Sequence, residues 1–245
     1  DNFYGHTDDY KKVTVNQLGL TVQHAYASGL VLRNQTRLSQ VGNDSVTSSP
    51  RIVNATTARG DTKPRDQDDQ GFNNQTDLLF SFNTGSVRHD MVTGVELAQY
   101  SYENRRRRDT QGPTTSLYNP AQRPLGAATP VYDGSVYRFE TQEVGVYVLD
   151  TMALSDKWEL SLGGRWDNVD AKATRRGFTG ANASANTTHE REDSEFSYSA
   201  GLVYKLRPDT SLYAAYGSAF NISGTFDRNQ VQLAGGGATE AIVGA

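Results

Sequence analysis

From Phe196 to Leu206 every second side chain is apolar or aromatic: Phe196, Tyr198, Ala200, Leu202, Tyr204 and Leu206, with mostly small or polar residues between them. A period of two is the mark of a strand with one greasy face and one wet face. The pattern returns in Trp158-Glu159-Leu160-Ser161-Leu162-Gly163-Gly164-Arg165-Trp166-Asp167. There the large apolar groups hold even positions, and Glu159, Arg165 and Asp167 stand opposite. Leu78, Phe80 and Phe82 alternate in the same way with Asp77, Ser81 and Asn83 at their sides.

Extending this pattern predicts about eight strands, near Lys12–His24, Leu30–Val41, Phe72–Asn83, Val87–Glu103, Arg138–Leu154, Trp158–Thr174, Ser194–Leu206 and Ser211–Asn221. Four connections are tight: Ala25-Tyr26-Ala27-Ser28-Gly29, Asn83-Thr84-Gly85-Ser86, Ser155-Asp156-Lys157 and Arg207-Pro208-Asp209-Thr210. Each holds the Gly, Pro, Asp, Asn or Ser that a hairpin turn wants. The others are long and polar: Gly42–Gly71, Asn104–Tyr137 and Arg175–Asp193. Short and long alternate, which sorts the long loops to one edge, as in outer-membrane barrels. A soluble sandwich, which mixes loop lengths at both ends, is the competing architecture.

Composition favours a thin wall. Hydrophobic residues are 36% and mean hydropathy is −0.63, yet there are 13 Tyr and 9 Phe. That is too aromatic for disorder and too polar for a thick core. The longest clean apolar run, Val144 to Leu149, is broken by Gly145. It falls well short of the roughly 18 residues of a membrane helix. Alternating strands need no such run, but a sheet in lipid must close, in this chain or in a longer one. Trp158, Trp166, Tyr204 and Tyr213 suit an interfacial girdle.

Other classes find little support. A net charge of −4 argues against a nucleic-acid binder. There are no cysteines for disulfides. His6, His24, His89 and His189 lack metal-ligand spacing, and no nucleophile elbow or P-loop is present. No catalytic residue, protein-bound metal or cofactor is therefore expected. Arg65-Asp66-Gln67-Asp68-Asp69-Gln70-Gly71 resembles a calcium loop only faintly, and a charged external loop is the default. The triplets Asn34-Gln35-Thr36 and Asn74-Gln75-Thr76 carry no weight as glycosylation sites in a chain so rich in Asn and Thr. The chain opens at Asp1 without a signal peptide, and both ends read as cut from a longer protein.

Several stretches carry a family resemblance. Val144-Gly145-Val146-Tyr147-Val148-Leu149-Asp150, then Trp158 to Asp167, resembles a hairpin of TonB-dependent siderophore receptors. Ser211-Leu212-Tyr213-Ala214-Ala215-Tyr216-Gly217-Ser218-Ala219-Phe220 looks like the following turn and strand. His89 to Leu97 matches the family's "tGvE" strand. Asp1-Asn2-Phe3-Tyr4-Gly5 resembles a segment of the catecholate-type members.

The resemblance implies an all-β fold: an antiparallel transmembrane β-barrel segment, about eight strands of a larger barrel of about 22. Residues 1–245 would form part of one barrel domain, with the plug domain and the C-terminal closing strands absent. The implied function is that of an outer-membrane receptor for ferric siderophores, catecholates favoured, in a Gram-negative bacterium. TonB would act through the missing N-terminal region, and the iron would travel with the siderophore. Outer-membrane lipid and lipopolysaccharide would be neighbours. A self-contained eight-stranded barrel with a structural or adhesive role is the alternative.

Two sets of residues stand out. Arg105-Arg106-Arg107-Arg108 falls in an expected external loop, with Tyr118 and Tyr132 in the same stretch and Tyr100, Tyr102 and Tyr137 flanking it. Guanidinium groups pair with anions and stack on rings, so this set is the candidate contact for a ferric catecholate; a solvated loop, or one that grips lipopolysaccharide phosphates, is the plainer reading. Glu96, Arg165 and Asp167 are expected to face the lumen, because Arg facing lipid at the midplane costs about 2–4 kcal/mol. Gly94, Gly163 and Gly164 would leave room for a neighbouring strand or plug.

Overall fold

In the computed structural model, residues 2–177 and 185–219 are described. The expected strand end at Asn221 and the tail from Leu233 to Ala238, read as the start of another external loop, lie outside them. Among the described residues there are nine strands: β1 (Tyr10–Ala25), β2 (Val31–Ile52), β3 (Thr57–Thr84), β4 (Val87–Arg107), β5 (Gln111–Ser116), β6 (Tyr132–Ala153), β7 (Trp158–Arg176), β8 (Thr187–Arg207) and β9 (Thr210–Gly217). All pairings are antiparallel, in the order β1-β2-β3-β4-β6-β7-β8-β9, with β5 attached to β3 off that path.

The four tight connections fall where expected. In the β3–β4 turn only Gly85 and Ser86 separate the strands, and Gly85 has φ of 63°. A two-residue hairpin turn needs that left-handed conformation at its first position, and glycine adopts it without steric cost.

The expected long loops are corrected. Gly42–Gly71 is mostly strand: β2 and β3 stay paired from Val31↔Leu79 to Ile52↔Ala58. The Arg65–Gly71 stretch is therefore ladder, with Asp66 and Asp68 on one face and Asp69 on the other. The physical reason is that this part of the hairpin is polar on both faces, so it has no apolar period to read. Asn104–Tyr137 likewise contains β5 and a short 3-10 turn at Gly126–Ala128.

Register sorts the side chains. One row runs Val22↔Asn34↔Thr76↔Val95↔Val146↔Trp166↔Phe196, and the next runs Arg33↔Asp77↔Gly94↔Tyr147↔Arg165↔Ser197. The first row shares its face with Leu18, Leu20, Leu38, Phe72, Leu78, Val144, Val148, Leu162, Tyr198, Leu202 and Leu212, all exposed. This is the outer face, and an apolar belt of this size fits hydrocarbon rather than water. Trp158 and Tyr204 lie on it as a pair, ring centroids 4.5 Å apart. Tyr213, expected in the girdle, pairs with Val203 and so falls on the opposite, inner face.

The outer face has a polar island. Asn34-Gln35-Thr36 and Asn74-Gln75-Thr76 lie antiparallel in register, Asn34 opposite Thr76 and Thr36 opposite Asn74. Asn34 Nδ2 donates to Thr76 Oγ1 at 2.8 Å and Asn74 Nδ2 to Thr36 Oγ1 at 2.7 Å. The amides satisfy one another, which lets them sit among leucines at modest cost.

An enclosed core lies beyond the belt, at the end away from the tight turns. There the N-terminal stretch and the segment around β5 pack on the β2–β3 hairpin. His6, Val46, Ala58, Thr62 and Leu125 are buried. His6 Nε2 meets the Gly60 carbonyl at 3.0 Å, the Thr7 amide donates to Arg123 O at 3.0 Å, and the Leu125 amide donates to Asp8 at 2.9 Å.

Candidate functional site on the inner face

The inner face carries the charge. Glu96, Gly145 and Asp167 follow one another across β4, β6 and β7, and Arg165 stands one row away. Arg165 reaches Glu96 at 2.8 Å, Glu143 at 3.1 Å and Asp167 at 2.6 Å, so one guanidinium holds three carboxylates. Glu96, Arg165 and Asp167 thus fall on the face opposite the apolar belt. Glu143 joins them although the sequence reading passed it over. Its place on the Val144 strand, with parity opposite the valines, was the available signal.

Alongside, Asp77 is fully buried. It accepts hydrogen bonds from Arg33 at 2.9 Å, from Gln75 at 2.9 Å and from the Tyr147 hydroxyl. Two glycines make these crossings possible. A Cβ on Gly94 would come within 2.6 Å of the Thr76 carbonyl, and one on Gly145 would strike the side chains of Arg165 and Asp167. Gly163 and Gly164 border a shallow recess of about 280 Å³ with Glu96, Tyr147, Arg165 and Ser199.

Towards the long-hairpin end the inner face changes character. Successive rows place Asn104 beside Tyr137 and Arg175, Tyr102 beside Phe139 and Ala173, and Tyr100 beside Thr141 and Ala171. The Arg175 guanidinium carbon lies 5.5 Å from the centre of the Tyr137 ring.

The arginine run is placed differently from the expectation. Arg105, Arg106 and Arg107 belong to β4 rather than to a loop, and Arg108 follows directly. Asp44 and Asp66 face each other across β2 and β3 on the outer side, a like-charge pair that destabilises unless neutralised. Arg107 binds Asp44, donates to Tyr10 Oη at 2.9 Å and to Arg65 O at 2.6 Å, and stacks over Tyr132 at 5.5 Å. Tyr132 donates to Asp66 at 2.7 Å. Arg106 and Arg108 flank Asp133 at 3.7 and 4.0 Å, and Arg105 meets Glu103 at 3.3 Å. Tyr118 is exposed and donates to Ala55 O at 3.0 Å, at the hairpin tip.

These outer-end carboxylates are stabilised as anions. The hydrogen bond from Arg138 holds the Glu103 carboxyl below its usual range. Burial pushes the Asp44 carboxyl up, but hydrogen bonds from Arg107 and Tyr10 more than offset it.

Known proteins resemble this chain in sequence and fold. Residues 1–244 match the family described as TonB dependent receptor-like, beta-barrel. The chain is 32% identical to a probable TonB-dependent receptor, BfrD, of Bordetella pertussis, across 92% of this chain and 33% of that protein. It is 27% identical to the catecholate siderophore receptor Fiu of Escherichia coli K12, across 88% of this chain and 32% of that one. The crystal structure of Fiu in its open form superposes with a TM-score of 0.79 at 24% identity, covering 89% of this chain and 37% of that one. The siderophore receptor PiuA of Acinetobacter baumannii gives 0.76 at 22%, covering 89% and 34%. At such identities the two structures speak for the fold alone. The chain spans about a third of the length of the curated relatives it matches, which favours a segment of a large barrel over a self-contained small one. Sequence, sheet register and the match along nearly its whole length agree: this chain belongs to the TonB-dependent receptor β-barrel family.

Proposed function

We propose that this chain is part of the wall of an outer-membrane receptor that imports ferric siderophores, energised through TonB. The observation that carries this reading is the division of one antiparallel sheet into an apolar outer face and a charged, aromatic inner face, with the β1–β2, β3–β4, β6–β7 and β8–β9 turns at one end. The relatives named for catecholate uptake support a catecholate ligand. Iron enters as part of that ligand, and no resident cofactor is needed. Outer-membrane phospholipid and lipopolysaccharide are the neighbours of the apolar belt and of the charged residues above it.

The test is iron uptake by cells with and without the full-length receptor. Ferric catecholate should enter only with both the receptor and TonB present. Uptake unchanged on deleting either one would refute the proposal.

A further inference from the structure

We propose that His89 and Asp150 form a phospholipid-headgroup site on the outer face of the wall, at the margin of the apolar belt nearest the tight turns. The His89 imidazole donates there to the phosphodiester of a lipid in the adjoining leaflet. The site is separate from the inner face and does not depend on what the receptor imports.

Register places the pair. His89 is the third residue of β4 and stands between Phe82 and Met152. Asp150 lies three residues before the end of β6 and stands between Met91 and Leu162. Leu160 and Leu202 continue the His89 row, and Ala200 continues the Asp150 row. Across β3, β4, β6, β7 and β8 these two rows hold no other charged side chain. The Trp158 and Tyr204 rings lie one outer row nearer the turns, and such rings sit at headgroup level.

The state of the pair follows from its setting. His89 Nδ1 lies 2.7 Å from Asp150 Oδ2, with 14% and 19% of the two side chains exposed. Asp150 Oδ1 is buried with no hydrogen-bond partner among the described residues. With a neutral imidazole beside it, this carboxylate leaves a bare negative charge at the edge of hydrocarbon, which is costly. A second proton on the imidazole cancels that charge. Phe82 favours the same state. Its ring lies on the His89 ring, centroids 4.6 Å apart and planes 3° from parallel, and an aromatic face attracts a cation.

The imidazolium then carries a second donor. Nε2 has no hydrogen-bond partner among the described residues, and it is not enclosed. On this face the surroundings are apolar side chains and lipid, so the acceptor comes from the lipid. A phosphodiester oxygen is the acceptor that gains most from a charged donor.

The experiment uses the full-length receptor in detergent and dihexanoyl phosphatidylglycerol as the probe, with retained lipid counted by native mass spectrometry. Heat-modifiable migration on gels reports folding of every variant. The unaltered receptor is expected to hold one lipid more tightly than any other. His89→Phe is expected to weaken that lipid at least fivefold. Asp150→Asn, which withdraws the counter-charge, is expected to weaken it at least threefold at about pH 7.5 and to recover at about pH 5.5, where an unassisted imidazole is protonated. Should His89→Phe fail to fold because Asp150 loses its partner, His89→Phe combined with Asp150→Leu removes both charges and carries the same expectation. Folded variants that hold the lipid within twofold of the parent overturn the site. Equal retention of dihexanoylglycerol, which lacks the phosphate, overturns the headgroup assignment. Displacement of the probe by an equal concentration of inorganic phosphate overturns the lipid as the source of the anion. None of these outcomes bears on iron uptake, which tests the receptor reading separately.

Discussion

Two groups of arginines in this wall have opposite relations to the sequence. Arg105 to Arg108 are adjacent in the chain and conspicuous. In the fold each is beside a carboxylate, and Arg107 is occupied by Asp44. Arg165 and Arg175 are ten residues apart and unremarkable in a linear reading. Both lie on the inner face, one gathering three carboxylates and the other poised over a ring. In a sheet, neighbours along the chain point to opposite sides. A run of like residues is thus divided between faces, and a site is assembled by register from separate strands.

Removing Arg165 should have the largest effect. Arg165→Ala leaves Glu96, Glu143 and Asp167 without their shared cation, a loss of about 3 kcal/mol for a mostly enclosed network. Urea unfolding of the receptor in detergent measures it. By contrast, Arg105→Ala should change both stability and ferric-ligand binding little, because its exposed pair with Glu103, which Arg138 also holds, contributes about 0–1 kcal/mol. Equal losses in the two cases would remove the distinction between the groups.

Gly145→Leu sharpens the same point by steric means. Its side chain would drive Arg165 from Asp167, and overpacking of this kind costs about 1–3 kcal/mol. The loss should shrink when Arg165→Ala is already present, a coupling that a double-mutant cycle detects. On the outer face, Asn74→Leu strips Asn34 of one partner in lipid. A loss of about 1 kcal/mol is expected there, in line with polar contacts inside membranes.

The smallest effect concerns pH. The folded-state pKa of Glu103 and Asp44 is lowered. Their contribution is therefore present at neutral pH and is lost only as pH falls below the ordinary carboxylate range, through the depressed values. The protection of amides at the Arg107 end of β4, taken as the hydrogen-exchange rate relative to the intrinsic rate at the same pH, should be lower at pH 3 than at pH 7, with little change between pH 6 and 8. A loss of protection confined to the range between 6 and 8 would contradict this assignment.

The apolar belt and its turns were legible in the sequence because lipid imposes a period of two. Trp158, Leu160 and Leu162 follow it, and so do Phe196, Tyr198 and Leu202. The same parity placed Glu96, Arg165 and Asp167 on the inner face. Beyond the belt both faces meet water or protein, and the constraint lapses. For that reason residues 42–52 and 57–71 looked like loop although they are ladder, and β5 went unseen. Tyr137 and Arg175 were missed as partners because the expected strands stopped at Arg138 and Thr174, one residue short of each, although the tight turn between β6 and β7 fixes their register.

The central claim is that the even positions of β7 face lipid and the odd positions face the aqueous interior. The segment has no native cysteine, so single cysteines can be placed one at a time from Leu160 to Trp166 in the full-length receptor and spin-labelled. Collision with dissolved oxygen, which concentrates in lipid, should be high at positions 160, 162, 164 and 166. Collision with a water-soluble nickel chelate should be high at 161, 163 and 165. Oxygen and nickel profiles that rise and fall together along these residues, without a period of two, would contradict the account.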